Sequence, residues 1–504
     1  MTLAISPGFA AFRDAYEQGQ PQLVWAKRVS DLETPVSAML KLGEARPGSF
    51  ILESVEGGDW RGRYSILGLD PDLVWRINAG VAERSDGGFA EADFTPCSEP
   101  PLAALRTLLA ECRAPLPAGL PPPAAGLFGY LSYDMVRYIE RLPDAPPDPL
   151  RLPEALLMRP RLVAVFDNVA QEITLVTPIW PSQWSASAAW AIAERRLQEA
   201  AEALDSIAPR PAPAAPAEPP LVPLSNTTPQ AYRDIVERVR AYCRAGDCFQ
   251  VVPSQRFSAP FTRPSFALYR ALRRLNPSPF LYHLNLGDFA IVGSSPEILV
   301  RLRDGVVTVR PIAGTRPRGA TPAEDARLEE ELLADPKERA EHLMLVDLAR
   351  NDVGRVARRG IGNDGNPGVR VTDSFFIERY SHVMHIVSNV EGALAPGADA
   401  LDALLAGFPH GTVTGAPKVR AMEILDEVES VRRGVYAGGV GYFSVGGDMD
   451  TCIALRTAVL KDGMMHVQAG GGVVLDSDPQ LELEETEHKS RALFRAAAEA
   501  ARFG

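Results

Sequence analysis

VGYFSVGGDMDTCIALRTAVLKDGMMHVQA, residues 440–469, holds three β-like runs in series: Val440–Ser444, Cys452–Leu460 and Met464–Ala469. No helix fits between them. Strands that follow one another across short turns pair antiparallel, whereas parallel strands need crossovers of a dozen residues or more. The same grouping recurs upstream at Ala290–Val292, Ile298–Leu302, Val306–Arg310 and His382–Val390. In the first half it recurs at Ser49–Val55, Tyr64–Leu69, Leu73–Asn78, Leu162–Asp167 and Glu172–Val176. Helical patterns stand apart, at Pro229–Ala245, Ala323–Ala334, Pro336–Asn351 and Gln480–Ala501. Strands in groups and helices in groups predict an α+β fold and argue against a doubly wound parallel sheet.

Around this stretch the chain is ordinary globular material: 504 residues, 46% hydrophobic and 23% charged. Its formal net charge of −12 argues against nucleic acid as the partner. No run of apolar residues is long enough to span a membrane. The N-terminal stretch lacks the basic region and apolar run of a secretory signal. Five cysteines without a CxxC pair speak against a disulfide framework or a structural zinc site, so the expected compartment is the cytoplasm. The main break is APRPAPAAPAEPPLVP, residues 208–223, with seven prolines in sixteen positions. Such a segment reads as an extended connector. The expected domains are therefore residues 1–205, a connector at 206–226, and residues 227–504.

Several clusters could carry chemistry. Asp335 followed by Pro336 is an N-cap signal. It sets Glu338 and Glu341 three residues apart on one face of the helix it opens, with Leu343, Val346 and Ala349 toward the core. Glu482 and Glu485 repeat the spacing near the C-terminus. Paired carboxylates suit a hard divalent cation such as Mg²⁺; they equally suit helix dipoles and a solvated face. Three glycine clusters, PIAGTRPRG (311–319), GTVTGAPK (411–418) and AGGGV (469–473), are neither Walker A loops nor dinucleotide fingerprints. They read as tight turns or as loops presenting N–H groups and hydroxyls to carboxylates. His385 shares an apolar strand face with Val383 and Val387, and Arg456 interrupts an apolar run. Arg456 could bind a carboxylate in two-pronged fashion or close a structural ion pair.

Taken together, PIAGTRPRG, DPKERAEHLMLVDLARNDVGRV, RYSHVMHIVS, GTVTGAPKVRAMEIL, YAGGVGYF, CIALRT and QAGGGVVLDSDPQLELEETEHK resemble the chorismate-utilising enzymes. ILES, GRYSILG and GLFGYLSYD extend the likeness into the first half. The resemblance implies a large β-sandwich-like core with flanking helices, the N-terminal half packed against it. It implies that Glu338, Glu341, Glu482 and Glu485 hold Mg²⁺ against the ring carboxylate of chorismate. Tyr436 and Arg456 would hold the enolpyruvyl carboxylate, with N–H groups of Gly470, Gly471 and Gly472 nearby. Thr315 and Thr412 would touch substrate. His385 would be the general acid at the departing C4 hydroxyl, and Glu297 a further catalytic candidate.

Within the family the residues favour the ammonia-adding branch that makes anthranilate and pyruvate. Members that make aminodeoxychorismate commonly carry a lysine where this chain has Ala313, and members that add water use a lysine where it has Gln250. Neither residue can supply a nucleophile or base. None of the five cysteines lies in a glutaminase elbow, so ammonia is expected from a separate glutamine amidotransferase subunit in a hetero-oligomer. The resemblance also implies tryptophan feedback at a pocket of Glu53, Ser54, Asn276, Pro279, Phe280, Leu281, Val440 and Tyr442.

Overall fold

The computed structural model describes residues 3–43, 45–53, 63–142, 144–207, 221–360, 368–380 and 383–503. Most of the proline-rich connector, together with Ser54, lies outside the described residues.

Two antiparallel ribbons of strands build the core. The first runs Ser254–Pro260, Met464–Gly470, Thr457–Lys461, Phe289–Ser295, Phe280–Asn285, Phe50–Glu53 and Tyr64–Asn78, each bonded to the next. The second runs Val383–Ala393, Val306–Val309, Ile298–Arg303, Met449–Ile453, Gly439–Ser444, Gly126–Leu131 and Ala155–Asp167. Two long strands, Tyr64–Asn78 and Ala155–Asp167, pair with each other and join the ribbons. The sequence reading split the first of these at residues 70–72. The structure keeps it whole and absorbs the irregularity as a register shift between Pro71 and Leu73. Strands of both halves of the chain are thus hydrogen-bonded into one sheet, at Leu281 against Glu53 and at Val440 against Tyr130.

The ribbons face each other across a shared apolar layer. Phe50, Tyr282 and Ile291 of the first meet Phe128, Tyr130 and Tyr442 of the second. Phe50 stacks on Phe128 with ring centroids 4.7 Å apart. Burying each such ring contributes about 1.5–3 kcal/mol. Helices cover both outer faces. Ser265–Leu275 and Pro479–Glu499 pack over Val292, Ala458 and Val467, and Ala186–Asp205 packs over the strand Glu172–Ile179. Pro336–Val356 and Ala400–Gly407 pack over Val300, Leu302 and Val309. In Pro336–Val356 the buried face carries Leu345, Val346 and Ala349, while Leu343, expected in the core, is 60% exposed.

The chain changes ribbon twice at one seam. Phe289–Ser295 lies in the first ribbon and Ile298–Arg303 in the second; Met449–Ile453 lies in the second and Thr457–Lys461 in the first. The crossings are bonded side by side: Ser294 N–H to the Arg456 carbonyl oxygen at 3.1 Å, and Ile453 N–H to that of Glu297 at 3.0 Å. The continuous strand expected over Cys452–Leu460 is therefore two strands. Arg456 breaks it with φ of 48°, a left-handed conformation that costs a non-glycine residue about 1–2 kcal/mol.

Candidate active site

Two helix N-termini approach each other over the seam. Asp335 caps Pro336–Val356, its carboxylate accepting from the N–H groups of Lys337 and Glu338. Asp478 caps Pro479–Glu499 in the same way through Gln480 and Leu481. Proline follows each cap, where its missing N–H costs nothing. The first two turns of both helices then point Glu338, Glu341, Glu482 and Glu485 into one cavity of about 540 Å³.

The four carboxylates are differently employed. Glu338 pairs with Arg316 at 3.2 Å, and Glu485 with Lys489 at 2.6 Å. Glu341 faces the Gln250 amide at 3.5 Å. Glu482 Oε2 is buried without a hydrogen-bond partner. Burial, and after it the neighbouring carboxylate, pushes both Glu341 and Glu482 above the usual carboxylate range. No three of these groups close into a preformed metal cluster among the described residues. Their all-oxygen chemistry, together with the orphaned Glu482 oxygen, nonetheless fits a hard divalent cation. Buried anions that raise one another's proton affinity are what such an ion neutralises.

The glycine triplet lies against these groups. A Cβ on Gly470 would stand 2.9 Å from the Tyr436 hydroxyl, one on Gly471 2.9 Å from Glu482 Oε2, and one on Gly472 2.3 Å from Gln250 Nε2. At Gly470 a Cβ would also fall 2.6 Å from the Pro253 carbonyl oxygen, so glycine is required there by close approach; at Gly471 and Gly472 it is side-chain ends that would have to move. The expectation that all three N–H groups face substrate needs correction: Gly471 donates to the Pro253 carbonyl oxygen at 3.3 Å. Gly470 and Gly472 line the cavity, as does Tyr436, whose phenol burial pushes up to about 12.

At the seam, Glu297 is 3% exposed, and burial pushes its carboxyl up to about 8. Thr412 Oγ1 donates to it at 2.9 Å. His410 lies behind, its Nδ1 3.7 Å from the same oxygen. Burial drives this imidazole down to about 3, which disfavours its charged form beside Glu297. His410 was not singled out from the sequence; its place one residue before the GTVTGAPK cluster was the available signal.

His385 lines the cavity from the strand Val383–Ala393, beside the antiparallel strand Ile312–Pro317, which carries Ala313, Gly314 and Thr315 where a turn or loop was expected and shifts register between Ala313 and Arg316. Its Nδ1 lies 3.1 Å from Thr315 Oγ1. Burial lowers its pKa and the nearby Arg456 lowers it further. Arg456 is half-buried at the seam, where the sequence reading had it inside a strand. Ala313 and Gln250, the two positions expected from the resemblance to separate the branches, line this same cavity. So do Lys337, Gln468 and Ser477, which the sequence reading did not name.

A second cavity, about 90 Å³, lies between the two ribbons. Six of the residues expected for an inhibitor pocket line it: Glu53, Pro279, Phe280, Leu281, Val440 and Tyr442. Asn276 does not. It lines a separate cavity beside His385 and Arg456, because it caps the end of the Ser265–Leu275 helix before the chain enters its strand. Glu53 is also not free for a ligand's ammonium. Arg273 donates to both its oxygens, at 2.7 and 3.1 Å, and the Tyr269 hydroxyl donates to one of them. Among the described residues, Asp450 Oδ1 is an unpartnered anionic atom on this cavity's wall.

The chain matches the chorismate binding enzyme family over residues 52–495. It is 57% identical to anthranilate synthase component 1 of Cereibacter sphaeroides, with 98% of each chain covered. To anthranilate synthase component 1 of Pseudomonas aeruginosa it is 51% identical, with 93% of this chain and 94% of that one covered. Among solved structures, anthranilate synthase component I from Streptococcus pneumoniae superposes with a TM-score of 0.76 at 36% identity, covering 93% of this chain and 99% of that one. The menaquinone-specific isochorismate synthase of Escherichia coli shares the fold, with a TM-score of 0.68 at 20% identity, over 97% of this chain and 100% of that one. Among the described residues no helix is long and apolar enough to cross a membrane. The chain belongs to the chorismate-binding enzymes, within the anthranilate synthase component 1 group.

Proposed function

We propose that this chain converts chorismate and ammonia to anthranilate, pyruvate and water, with Mg²⁺ as cofactor. The observation that carries the reading is one cavity lined by both glutamate pairs, Tyr436, Arg456, His385 and Glu297, with Ala313 and Gln250 where the lysines of other branches would stand. Glu338, Glu341, Glu482 and Glu485 would hold the ion, which when bound neutralises the ring carboxylate and orients it. This is how a protein of charge −12 accepts a dianion. Arg456 and the Tyr436 hydroxyl receive the enolpyruvyl carboxylate. Ammonia adds at C2 while hydroxide leaves C4, and His385 supplies the proton that carries it off as water. A proton then leaves C2, the C3–oxygen bond breaks, and the departing enolpyruvate takes up a proton at its methylene carbon to become pyruvate as the ring becomes aromatic. Glu297, with a proton affinity close to neutrality, can exchange a proton with substrate in this cavity.

Ammonia comes from a separate glutaminase subunit. The relatives' designation as component 1 supports a partner component. Tryptophan occupies the cavity between the ribbons and favours a state that binds chorismate poorly. The five thiols, none in a disulfide, suit the reducing cytoplasm. The test is product analysis. Chorismate, an ammonium salt and Mg²⁺ should yield fluorescent anthranilate and pyruvate in equal amounts. Aminodeoxychorismate or isochorismate as the end product would refute the assignment.

A further inference from the structure

Behind the wall of the large cavity lies an ion pair that does not line it. Glu429 and Arg433, with side chains 5% and 2% exposed, meet at 2.6 Å. The pair is bonded in two places, Arg433 Nε to Glu429 Oε2 at 2.9 Å and Nη2 to Oε1 at 2.6 Å. The rest of the guanidinium reaches outward. Nη1 donates to the carbonyl oxygen of Val413 and Nη2 to that of Val252, each at 2.6 Å. Glu429 Oε1 also accepts from the Ser254 N–H at 2.8 Å and its hydroxyl at 2.7 Å. The guanidinium carbon lies 5.5 Å from the centre of the Tyr436 ring.

The segments gathered this way are far apart in sequence and all belong to the cavity. Val252, Val413 and Tyr436 line it. Val252 follows Gln250 by two residues, and Val413 follows Thr412 directly. A buried ion pair is a poor source of stability, because desolvation cancels most of its attraction; well-packed apolar residues of similar volume often serve the fold as well. A planar fork that satisfies two carbonyls and a carboxylate at once is, however, something only arginine provides.

We propose that Arg433, held by Glu429, is a positioning residue for the reaction. It fixes the carbonyls of Val252 and Val413 and so sets Gln250 and Thr412 beside the substrate. The inference rests on the reading that this cavity turns over chorismate. A displacement of about 1 Å in such groups costs about 100-fold in rate, and the loss falls on kcat because binding through the metal and Arg456 is left in place.

The test compares two variants with the wild-type chain for Tm, kcat and KM in ammonia-dependent anthranilate formation. The double variant Glu429→Met/Arg433→Met removes both charges, so that neither is left buried without its counterion, and frees the carbonyls of Val252 and Val413 and the Ser254 N–H. Arg433→Lys keeps the charge but cannot span both carbonyls. Expected for each is a folded protein whose kcat drops about 100-fold with KM changed less than about threefold. Should the double variant fail to fold, Arg433→Lys decides alone. Wild-type kcat in a folded variant would overturn the inference, as would a loss of activity that merely tracks the fraction unfolded. A wild-type chain that makes no anthranilate would overturn the functional reading and this inference with it. Wild-type turnover beside unchanged variants overturns the inference alone.

Discussion

The Nδ1 atom of His385 stands 2.9 Å from the carbonyl oxygen of Gly314. A carbonyl only accepts, so Nδ1 carries the hydrogen and Nε2 is bare while the ring is neutral. Burial lowers the ring's pKa from 6.5, so neutral is its state in the free protein at pH 7. The role of general acid therefore requires a proton gained with the substrate, whose negative charge favours the imidazolium. The imidazole titration, followed by NMR, should lie below 6.5 in the free protein and move up when a non-reactive aromatic dicarboxylate fills the cavity. An unchanged titration would remove His385 from the acid role. His385→Asn should lower kcat by about 10²–10⁴.

Glu297 should be protonated at pH 7. Infrared difference spectra should show a buried protonated carboxyl that disappears as pH rises through about 8 and is absent in Glu297→Gln. Stability follows the same linkage. The folded state holds this proton more tightly than the unfolded chain, whose carboxyl titrates near 4.5. The stabilisation is complete below that pH and is lost as pH climbs toward 8. The Tm of Glu297→Gln relative to wild type should therefore rise between pH 5 and 8. A constant difference would contradict the raised pKa.

Gly472→Ala tests the close approach of backbone and amide. Its Cβ would fall 2.3 Å from Gln250 Nε2, the far end of a side chain able to swing aside. The fold should survive, with Tm changed by a few degrees, while Gln250 loses its place against Glu341 and kcat falls about tenfold or more. Thermal unfolding and steady-state rates check both halves.

Val440→Phe should fill the small cavity between the ribbons. Val440 is buried there beside Tyr442 and Leu281. The extra ring costs about 1–3 kcal/mol in overpacking. It should raise the tryptophan concentration needed for half-inhibition at least tenfold and leave the ammonia-dependent rate within about twofold. Undiminished inhibition would place the tryptophan site elsewhere.

Local signals were legible in the sequence and long-range ones were not. Asp335–Pro336 caps its helix where a proline after an acidic cap says it should; Asp478–Pro479 carries the same signal, though the sequence reading began that helix at Gln480. The glutamate spacing then follows from helix geometry alone. Arg456 misled because an apolar run on both sides reads as one strand, although the chain there passes between ribbons. Val369–Arg379 was missed as a strand because its exposed polar positions lack alternation; its strand partner among the described residues is Val383–Ala393. Glu53 gave no hint of Arg273, 220 residues away, and nothing local marks the reach of Arg433 to Val252, 181 residues away. Such pairings are set by how strands stack, and a single sequence carries no trace of them.

The most direct measurement is calorimetric titration of Mg²⁺ into the chain with the ring-carboxylate analogue benzoate present. Glu341 and Glu485 come from helices far apart in sequence, so an ion shared between them ties the whole cavity together. One ion per chain should bind, and Glu341→Gln and Glu485→Gln should each weaken it by at least about tenfold with Tm nearly unchanged. Binding that either substitution leaves intact would mean that the two helix ends do not share an ion.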